Sequence, residues 1–370
     1  MMQQQDMLSR AERLPLMLRT LYEQYGYQRY SMGKFEPYDL YRENKDFLSS
    51  ETVITFTDAS GRLMALKPDV TMSIVKNTRP ETRSQKLYYS ENVFRMKPGS
   101  REYSEIRQIG LEYIGGRGAY AEAEVVRLAL ESLRSISEQH VLCLNHMGLI
   151  SAALAACGAA GELREAALAA LRQKNVPALR ALAERGLSPA AAERLAALAM
   201  LSGRPQDELP ALVRDLPGAA QPLDELSQLV GTLERCGCGE QLRLDLSTVG
   251  HMDYYNGLIF RGYLQGVPRA VLSGGRYDNL MLRFGKPLPA LGFALYPDEL
   301  SRALHMPRDY DVDVLVLFGD AAPELVLRAC DTLRQQGFSV RAEQEPPPGL
   351  RARRCLRLLV DGGWEEIADA

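Results

Sequence analysis

The sequence predicts an α+β fold in which an antiparallel sheet with flanking helices carries a helical insertion and is followed by a small α/β domain. Three observations support this prediction: β-type runs dominate residues 52–114, Ala, Leu, Arg and Glu dominate residues 148–240, and strand and helix patterns alternate after Tyr310. At roughly 150 residues per domain, the chain length predicts two to three domains. We place a first domain at 1–305 and a second at 306–370.

The elements before the insertion follow from hydrophobic periodicity. Apolar positions at helical spacing predict an amphipathic helix at 8–25. The β-type runs 52–57 and 62–66 flank an Asp-Ala-Ser-Gly turn, which predicts a hairpin. Two longer β-type runs, 86–94 and 105–114, are joined by a polar loop with Gly and Pro, so we expect a pair of long antiparallel strands. A helix at 119–138 and a strand at 141–146 complete this part.

The insertion is predicted from composition. Between about 148 and 240 the chain is rich in strong helix formers and interrupted by turns that contain Pro. Strand character then returns at 241–248, 254–263, 269–273 and 289–295, before a helix at 297–305.

The last part of the chain predicts a β-α-β-like unit of about 60 residues. A buried strand is expected at 311–319, a helix at 323–337 and a strand at 338–343. The apolar run at 356–363 is predicted to be the final strand.

Composition excludes several classes of protein. Lys and Arg number 44 and Asp and Glu 47, giving a net charge of −3, which argues against a protein that coats nucleic acid. Six cysteines are too few for a disulfide scaffold, and the close pair Cys236 and Cys238 has no histidine nearby, so we expect no metal site. No apolar run approaches the length of a membrane span, and the N-terminus is not a secretory signal. We therefore expect a cytoplasmic protein.

Five blocks of sequence, in a fixed order, carry a family resemblance. They are Leu66–Thr71, Val93–Arg95 with Ile106–Glu112, Met252–Phe260, Ser273–Asp278 and Ala290–Leu295. The first is similar to a Leu-Arg-Pro-Glu-Gly-Thr block, the second to motif 2, the third to a histidine-specific loop, and the last two to motif 3 and its lead-in. Together, over residues 8–305, they resemble the class II aminoacyl-tRNA synthetases, specifically the histidyl-tRNA synthetase catalytic domain.

The residues in these blocks favour a pocket for a small amino acid. Asp69 and Glu112, which we expect at strand ends, offer carboxylates to an ammonium group or an imidazole N–H. Gln108 lies four residues before Glu112, so both face the same side of a strand. On the residues alone, the favoured interpretation is that this Gln-x-x-x-Glu face ends a strand at the surface. The resemblance implies that six positions hold histidine: Asp69, Thr71, Gln108, Glu112, Tyr254 and Tyr255.

The departures from the family concern the nucleotide pocket. Synthetase chemistry needs fixed cations beside the α-phosphate of ATP. By resemblance, the motif 2 arginine survives as Arg95, but Gly250 and Glu299 stand where two further arginines are expected. The neighbouring His251, neutral at pH 7, cannot replace a permanent guanidinium. The motif 2 loop at 96–101 also lacks the ATP-contacting glutamate. We therefore expect weakened ATP binding beside a retained amino-acid pocket.

With this selective loss, the chain resembles one related family, the regulatory subunits of ATP phosphoribosyltransferase. The resemblance implies a non-catalytic subunit without a cofactor, required for the first step of L-histidine biosynthesis and for feedback inhibition by histidine. The implied partners are a short-form catalytic subunit and L-histidine as effector, with a homodimer inside a hetero-octamer; neither tRNA nor a membrane is expected. Two alternatives stay open, an active histidyl-tRNA synthetase and another amino-acid-binding synthetase-like protein. The short C-terminal domain, which resembles part of an anticodon-binding domain, argues against the first.

Overall fold

The computed structural model describes residues 10–42, 53–79, 84–96, 102–250, 254–304, 310–359 and 362–367. Residues Arg10–Ser301 form one compact unit, and Arg302–Ala370 belong to a second. Among the sequence features named above, the start of the first predicted helix at 8–9, the altered loop at 97–101, His251 and the first two residues of the Met252–Phe260 block lie outside the described residues.

The first unit opens with alternating helices and strands. Up to the insertion they are α1 (Arg10–Gln24), β1 (Gln28–Arg29), β2 (Phe35–Pro37), α2 (Asp39–Arg42), β3 (Thr55–Thr57), β4 (Leu63–Leu66), α3 (Val70–Asn77), β5 (Gln85–Met96), β6 (Tyr103–Ile114), α4 (Ala119–Arg134) and β7 (His140–His146).

The predicted insertion is helical, with one short strand. It comprises α5 (Met147–Ala156), α6 (Gly161–Arg172), α7 (Val176–Ala181), α8 (Pro189–Met200), β8 (Ser202–Gly203), α9 (Pro205–Asp215) and α10 (Ala220–Arg235). Its helix α8 begins where the sequence signals a start: Ser188 caps α8 by accepting a hydrogen bond from the Ala191 amide at 3.2 Å, and Pro189 follows it. The unit ends with β9 (Leu242–Asp245), β10 (Leu258–Leu264), β11 (Leu272–Arg276), α11 (Asp278–Arg283), β12 (Ala290–Leu295) and α12 (Pro297–Leu304).

A large sheet organises this unit. Over the described residues it has nine strands in the order β1-β5-β6-β12-β11-β10-β7-β9-β8, and a small sheet has the order β2-β4-β3. The predicted antiparallel pairing of the two long strands is confirmed along their whole length, from Gln85 opposite Ile114 to Met96 opposite Tyr103. The parallel pairings of β1 with β5 and of β7 with β9 were not predicted. The two-residue strands β1 and β8 were not predicted either, because so short a segment carries no hydrophobic pattern.

Two predicted strands start later than the sequence suggested. The strand expected at 254–263 begins at Leu258, and the strand expected at 269–273 runs over Leu272–Arg276. The second shift has a packing cause: Gly274 and Gly275 lie inside the strand because neighbouring backbone and aromatic rings leave no room for a Cβ there. Glycine is a poor strand former by composition, so the sequence placed the strand before it.

The C-terminal unit is a parallel α/β layer with one antiparallel edge. Its elements are β13 (Val312–Leu317), α13 (Pro323–Gln335), β14 (Val340–Glu343), β15 (Ala352–Leu358) and β16 (Trp364–Ile367). The sheet order β14-β13-β15-β16 contains the predicted β-α-β unit. The predicted bounds of the final strand, 356–363, are wrong, since the strand there is β15 and runs over Ala352–Leu358. Mostly exposed β16 was not predicted, since it has no apolar alternation.

Candidate functional site

A cavity of about 340 Å³ opens on the large sheet, where β6, β10, β11 and β12 meet the start of α3. Among the side chains that line it are the six that the sequence singled out: Asp69, Thr71, Gln108, Glu112, Tyr254 and Tyr255. Arg95 lines it as well. The structure thus brings together residues that lie up to 186 positions apart in the chain.

Glu112 is the most deeply buried acid of the cavity. Its side chain is 2% exposed, Thr71 Oγ1 donates to its Oε1 at 2.7 Å, and the Tyr277 hydroxyl donates to its Oε2 at 2.7 Å. Burial raises the pKa of Glu112 to about 8, although the hydrogen bonds from Tyr277 and Thr71 act in the opposite direction. None of the described cations forms an ion pair with it, and a cation or N–H donor that binds this carboxyl group would favour its ionised form.

The space for Glu112 depends on a glycine in the neighbouring strand. Sheet register places Gly292 of β12 directly opposite Glu112 of β6. A Cβ at position 292 would overlap Glu112 Oε2 and the Leu111 carbonyl oxygen. The glycine in the motif 3 lead-in therefore leaves the space that the Glu112 side chain occupies.

Asp69 has a different setting from the one predicted. It does not end a strand: it is the N-cap of α3, and its Oδ1 accepts the Met72 amide at 2.8 Å. Its other oxygen lies 3.5 Å from Arg95 Nη2. Arg95 in turn donates from Nε to the Pro68 carbonyl at 2.6 Å. The surviving motif 2 arginine is thereby held against the same turn as Asp69.

Three tyrosines form an aromatic wall. The rings of Tyr254 and Tyr255 lie 4.6 Å apart at 59°, and those of Tyr254 and Tyr277 lie 5.9 Å apart at 46°. Tyr254 also hydrogen-bonds Thr71. Burial is the first cause that raises the pKa of Tyr254 and Tyr277, so both phenols stay neutral. A flat ring packed against this wall can reach Glu112 with a polar edge.

The two positions that depart from the synthetase pattern have distinct environments. Gly250 lines the cavity, and a Cβ there would lie 2.5 Å from Tyr255 Cδ2 and 2.7 Å from Ile259 Cδ1. Glu299 is not among the lining residues, and its Oε1 lies 3.4 Å from Arg269 Nη1. Neither position supplies a cation to the cavity.

Sequence reasoning missed six polar side chains of the cavity, which are Tyr89, Arg172, Arg261, Ser273, Tyr277 and Tyr296. Tyr277 stands inside the Ser273–Asp278 block, so its neighbourhood was a usable signal. Arg172 had no signal, because it ends a helix in a segment whose many arginines look alike. Over the described ranges, no group of three or more His, Cys, Asp or Glu side chains is arranged to hold a metal ion. No helix in the described part of the chain has the length and apolar character needed to cross a bilayer.

The fold and the cavity define a protein of the histidyl-tRNA synthetase type, and the family model described as histidyl-tRNA synthetase matches residues 4–300. A crystal structure of an ATP phosphoribosyltransferase regulatory subunit/histidyl-tRNA synthetase from Bacillus halodurans is similar with a TM-score of 0.72 and 26% identity, covering 90% of this chain and 88% of that one. A chain of the ATP phosphoribosyl transferase complex from Thermotoga maritima has the same fold, with a TM-score of 0.63, 18% identity, and coverage of 78% and 97%.

A curated relative resolves the family further. The ATP phosphoribosyltransferase regulatory subunit of Desulforamulus reducens is 33% identical over 371 residues, which cover 94% of this chain and 92% of the relative. The chain belongs to the family of ATP phosphoribosyltransferase regulatory subunits. The resemblance stated from the sequence is confirmed.

Proposed function

We propose that this chain is the regulatory subunit of an ATP phosphoribosyltransferase, that it has no aminoacylation activity, and that it binds histidine in the cavity as the effector of the complex. The observation that carries the proposal is a contrast within one site. The six residues predicted for the amino-acid pocket line one cavity around Glu112, whereas the positions at which the histidyl enzymes place two catalytic arginines hold Gly250 and Glu299.

The pocket suits histidine through its charges and its shape. Glu112 and Asp69 give one side of the cavity two acids, which favour an ammonium group and an imidazole N–H. The buried Gln108 amide lines the same space and can donate to or accept from a ring nitrogen. The tyrosine wall offers a flat apolar surface to the imidazole ring. A cavity of about 340 Å³ is large enough for a single amino acid.

The absence of synthetase chemistry rests on electrostatics. Adenylate formation develops negative charge on the α-phosphate, and preorganised cations that stabilise it are usually the largest catalytic contribution. Losing each oxyanion-stabilising donor typically lowers the rate by about 10²- to 10³-fold. With two of three arginines replaced, activation of histidine by ATP should fall by several orders of magnitude.

The partner is proposed from the relatives. Their names tie them to ATP phosphoribosyltransferase, and the Thermotoga maritima protein is part of a transferase complex. We extend this to a short-form catalytic subunit, a homodimer of this chain inside a hetero-octamer, and a cytoplasmic location. Histidine can regulate such a complex only if it binds its active and inhibited states with different free energies.

The test combines assembly, inhibition and binding. Co-expression with a short catalytic transferase from the same organism should yield a co-eluting complex whose activity requires this chain and falls when histidine is added. Calorimetry should detect histidine binding to this chain, weakened by Glu112→Gln but not by Glu184→Gln, a change at an exposed glutamate of the insertion. Failure to co-elute would refute the partner, and unchanged affinity in Glu112→Gln would refute the pocket.

The alternative of an active histidyl-tRNA synthetase is tested separately. Arg95 and the match of the synthetase family model to residues 4–300 favour it. Histidine-dependent exchange of pyrophosphate into ATP would establish that activity and would refute a non-catalytic role. We expect no exchange above background.

A further inference from the structure

Two arginines that no synthetase motif accounts for lie side by side in the cavity. Arg172 is the last residue of α6 in the insertion, and Arg261 lies on β10. Arg172 Nη2 donates to the Gly250 carbonyl at 2.9 Å, and Arg261 Nη2 donates to the adjacent Val249 carbonyl at 3.3 Å. Two elements far apart in the chain therefore bring guanidinium groups to neighbouring carbonyls of one turn.

Neither of these two cations has an ion-pair partner among the described residues. Among the described residues, no carboxylate forms an ion pair with Arg172 or with Arg261, although both are partly buried. Burial is the main cause that lowers the pKa of Arg172; the Glu165 carboxylate opposes it, and repulsion from Arg261 adds to it. Two partly buried cations without an ion-pair partner among the described residues are stabilised by an anion that enters the cavity and accepts hydrogen bonds from both.

The cavity is therefore polarised. Glu112 gives it an acidic region and Arg172 and Arg261 give it a basic region, whereas Asp69 is paired with Arg95 at 3.5 Å; all five groups line one space. A zwitterion with a hydrogen-bonding side chain matches this distribution: the ammonium group or ring N–H faces the acidic region and the carboxylate faces the guanidinium groups.

We propose that Arg172 and Arg261 bind the α-carboxylate of the amino-acid ligand, with Arg172 supplying from the insertion the charge that Gly250 no longer supplies from its own loop. The assignment rests on the proposed function, because it takes the ligand to be a free amino acid in this cavity. It adds that the insertion forms part of the site. Ligand binding then ties the end of α6 to the sheet, which gives the effector a direct mechanical connection to a large peripheral segment.

The experiment compares two ligands that differ in the carboxylate. Histidine and histamine, which lacks it, are titrated calorimetrically to millimolar concentration into the full-length wild type and into Arg172→Met and Arg261→Met. Charge-assisted contacts of this kind predict that each substitution weakens histidine binding by about 10- to 100-fold and leaves histamine binding unchanged. Arg172→Lys, which keeps the charge, should lose less than Arg172→Met. Arg185→Met, at an exposed arginine of the same insertion, is the matched control and should alter neither affinity.

Each other outcome is decisive. An equal loss for both ligands would show that the arginines only hold the turn at 249–250 in place, and would overturn the assignment. Unchanged histidine affinity in both methionine variants would overturn it too, while leaving histidine binding and the proposed function intact. A wild type that binds neither ligand would overturn the histidine pocket together with this inference.

Discussion

Glu112→Gln removes a carboxyl group that the fold buries next to Thr71 and Tyr277. In the folded chain the pKa of Glu112 is raised from 4.5 to about 8, chiefly by burial. The folded state therefore holds this proton more tightly than the unfolded state does. The associated stabilisation is complete below about pH 4.5 and is lost as the pH rises through about 8.

The magnitude follows from that difference in pKa. The pKa of Glu112 is higher by about 3.5 in the folded state, and a pKa difference of 1 corresponds to about 1.4 kcal/mol. Folding is therefore disfavoured by about 5 kcal/mol once Glu112 is ionised in both the folded and the unfolded state. Glutamine has the same shape and does not titrate. The difference in free energy of unfolding between Glu112→Gln and the wild type should therefore move in favour of the variant by about 4 kcal/mol between pH 5 and pH 9.

Urea unfolding at a series of pH values measures this difference directly. Taking the difference between variant and wild type cancels every titration that the two chains share. Glu184→Gln, at an exposed position, serves as the control and should follow the wild type at each pH. A constant difference between Glu112→Gln and wild type from pH 5 to pH 9 would refute the burial argument for Glu112.

Substitutions at three further residues test neighbouring contacts. Asp69→Asn keeps the oxygen that caps α3 and should weaken only histidine binding, whereas Asp69→Ala should also lower the free energy of unfolding in urea by about 1 kcal/mol. Gly292→Ala should cost about 1–3 kcal/mol of stability by overpacking and displace Glu112, so calorimetry should detect no histidine binding. Tyr277→Phe removes the hydroxyl that donates to Glu112 and should lower the free energy of unfolding by about 1–3 kcal/mol. It should also move the pH midpoint of the Glu112 effect above about 8, because the lost hydrogen bond held that pKa down; an unmoved midpoint would contradict this.

Much of the fold was accessible from the sequence because strong local patterns agree with the final packing. The hairpin of β3 and β4 and the long pair of β5 and β6 have turn residues and β-type runs that fit antiparallel pairing. The two-residue strands were not accessible, since their pairing is decided by distant partners. The bounds of β11 were predicted wrongly because glycine is rare in strands, whereas Gly274 and Gly275 leave room for neighbouring residues. Only the packed sheet reveals that role.

The residues of the cavity also divide into those that local sequence predicted and those that only tertiary packing reveals. Its six predicted residues were named because they stand in short ordered blocks, and the structure places all of them around one space. Asp69 was expected at a strand end because its block reads as an extension of β4, yet its preference for capping a helix determines its position. Arg172 was invisible because tertiary structure alone brings the end of α6 to the turn at 249–250.

The packing around Gly250 also limits which residues this position accepts. The space into which an arginine would extend from position 250 is closed at its base, because the Tyr255 ring and the Ile259 side chain lie within 2.7 Å of a Cβ built there. Moving the Tyr255 ring would disturb its packing on Tyr254. A single Gly250→Arg substitution therefore meets a steric barrier, and an arginine at this position requires a coordinated second change nearby.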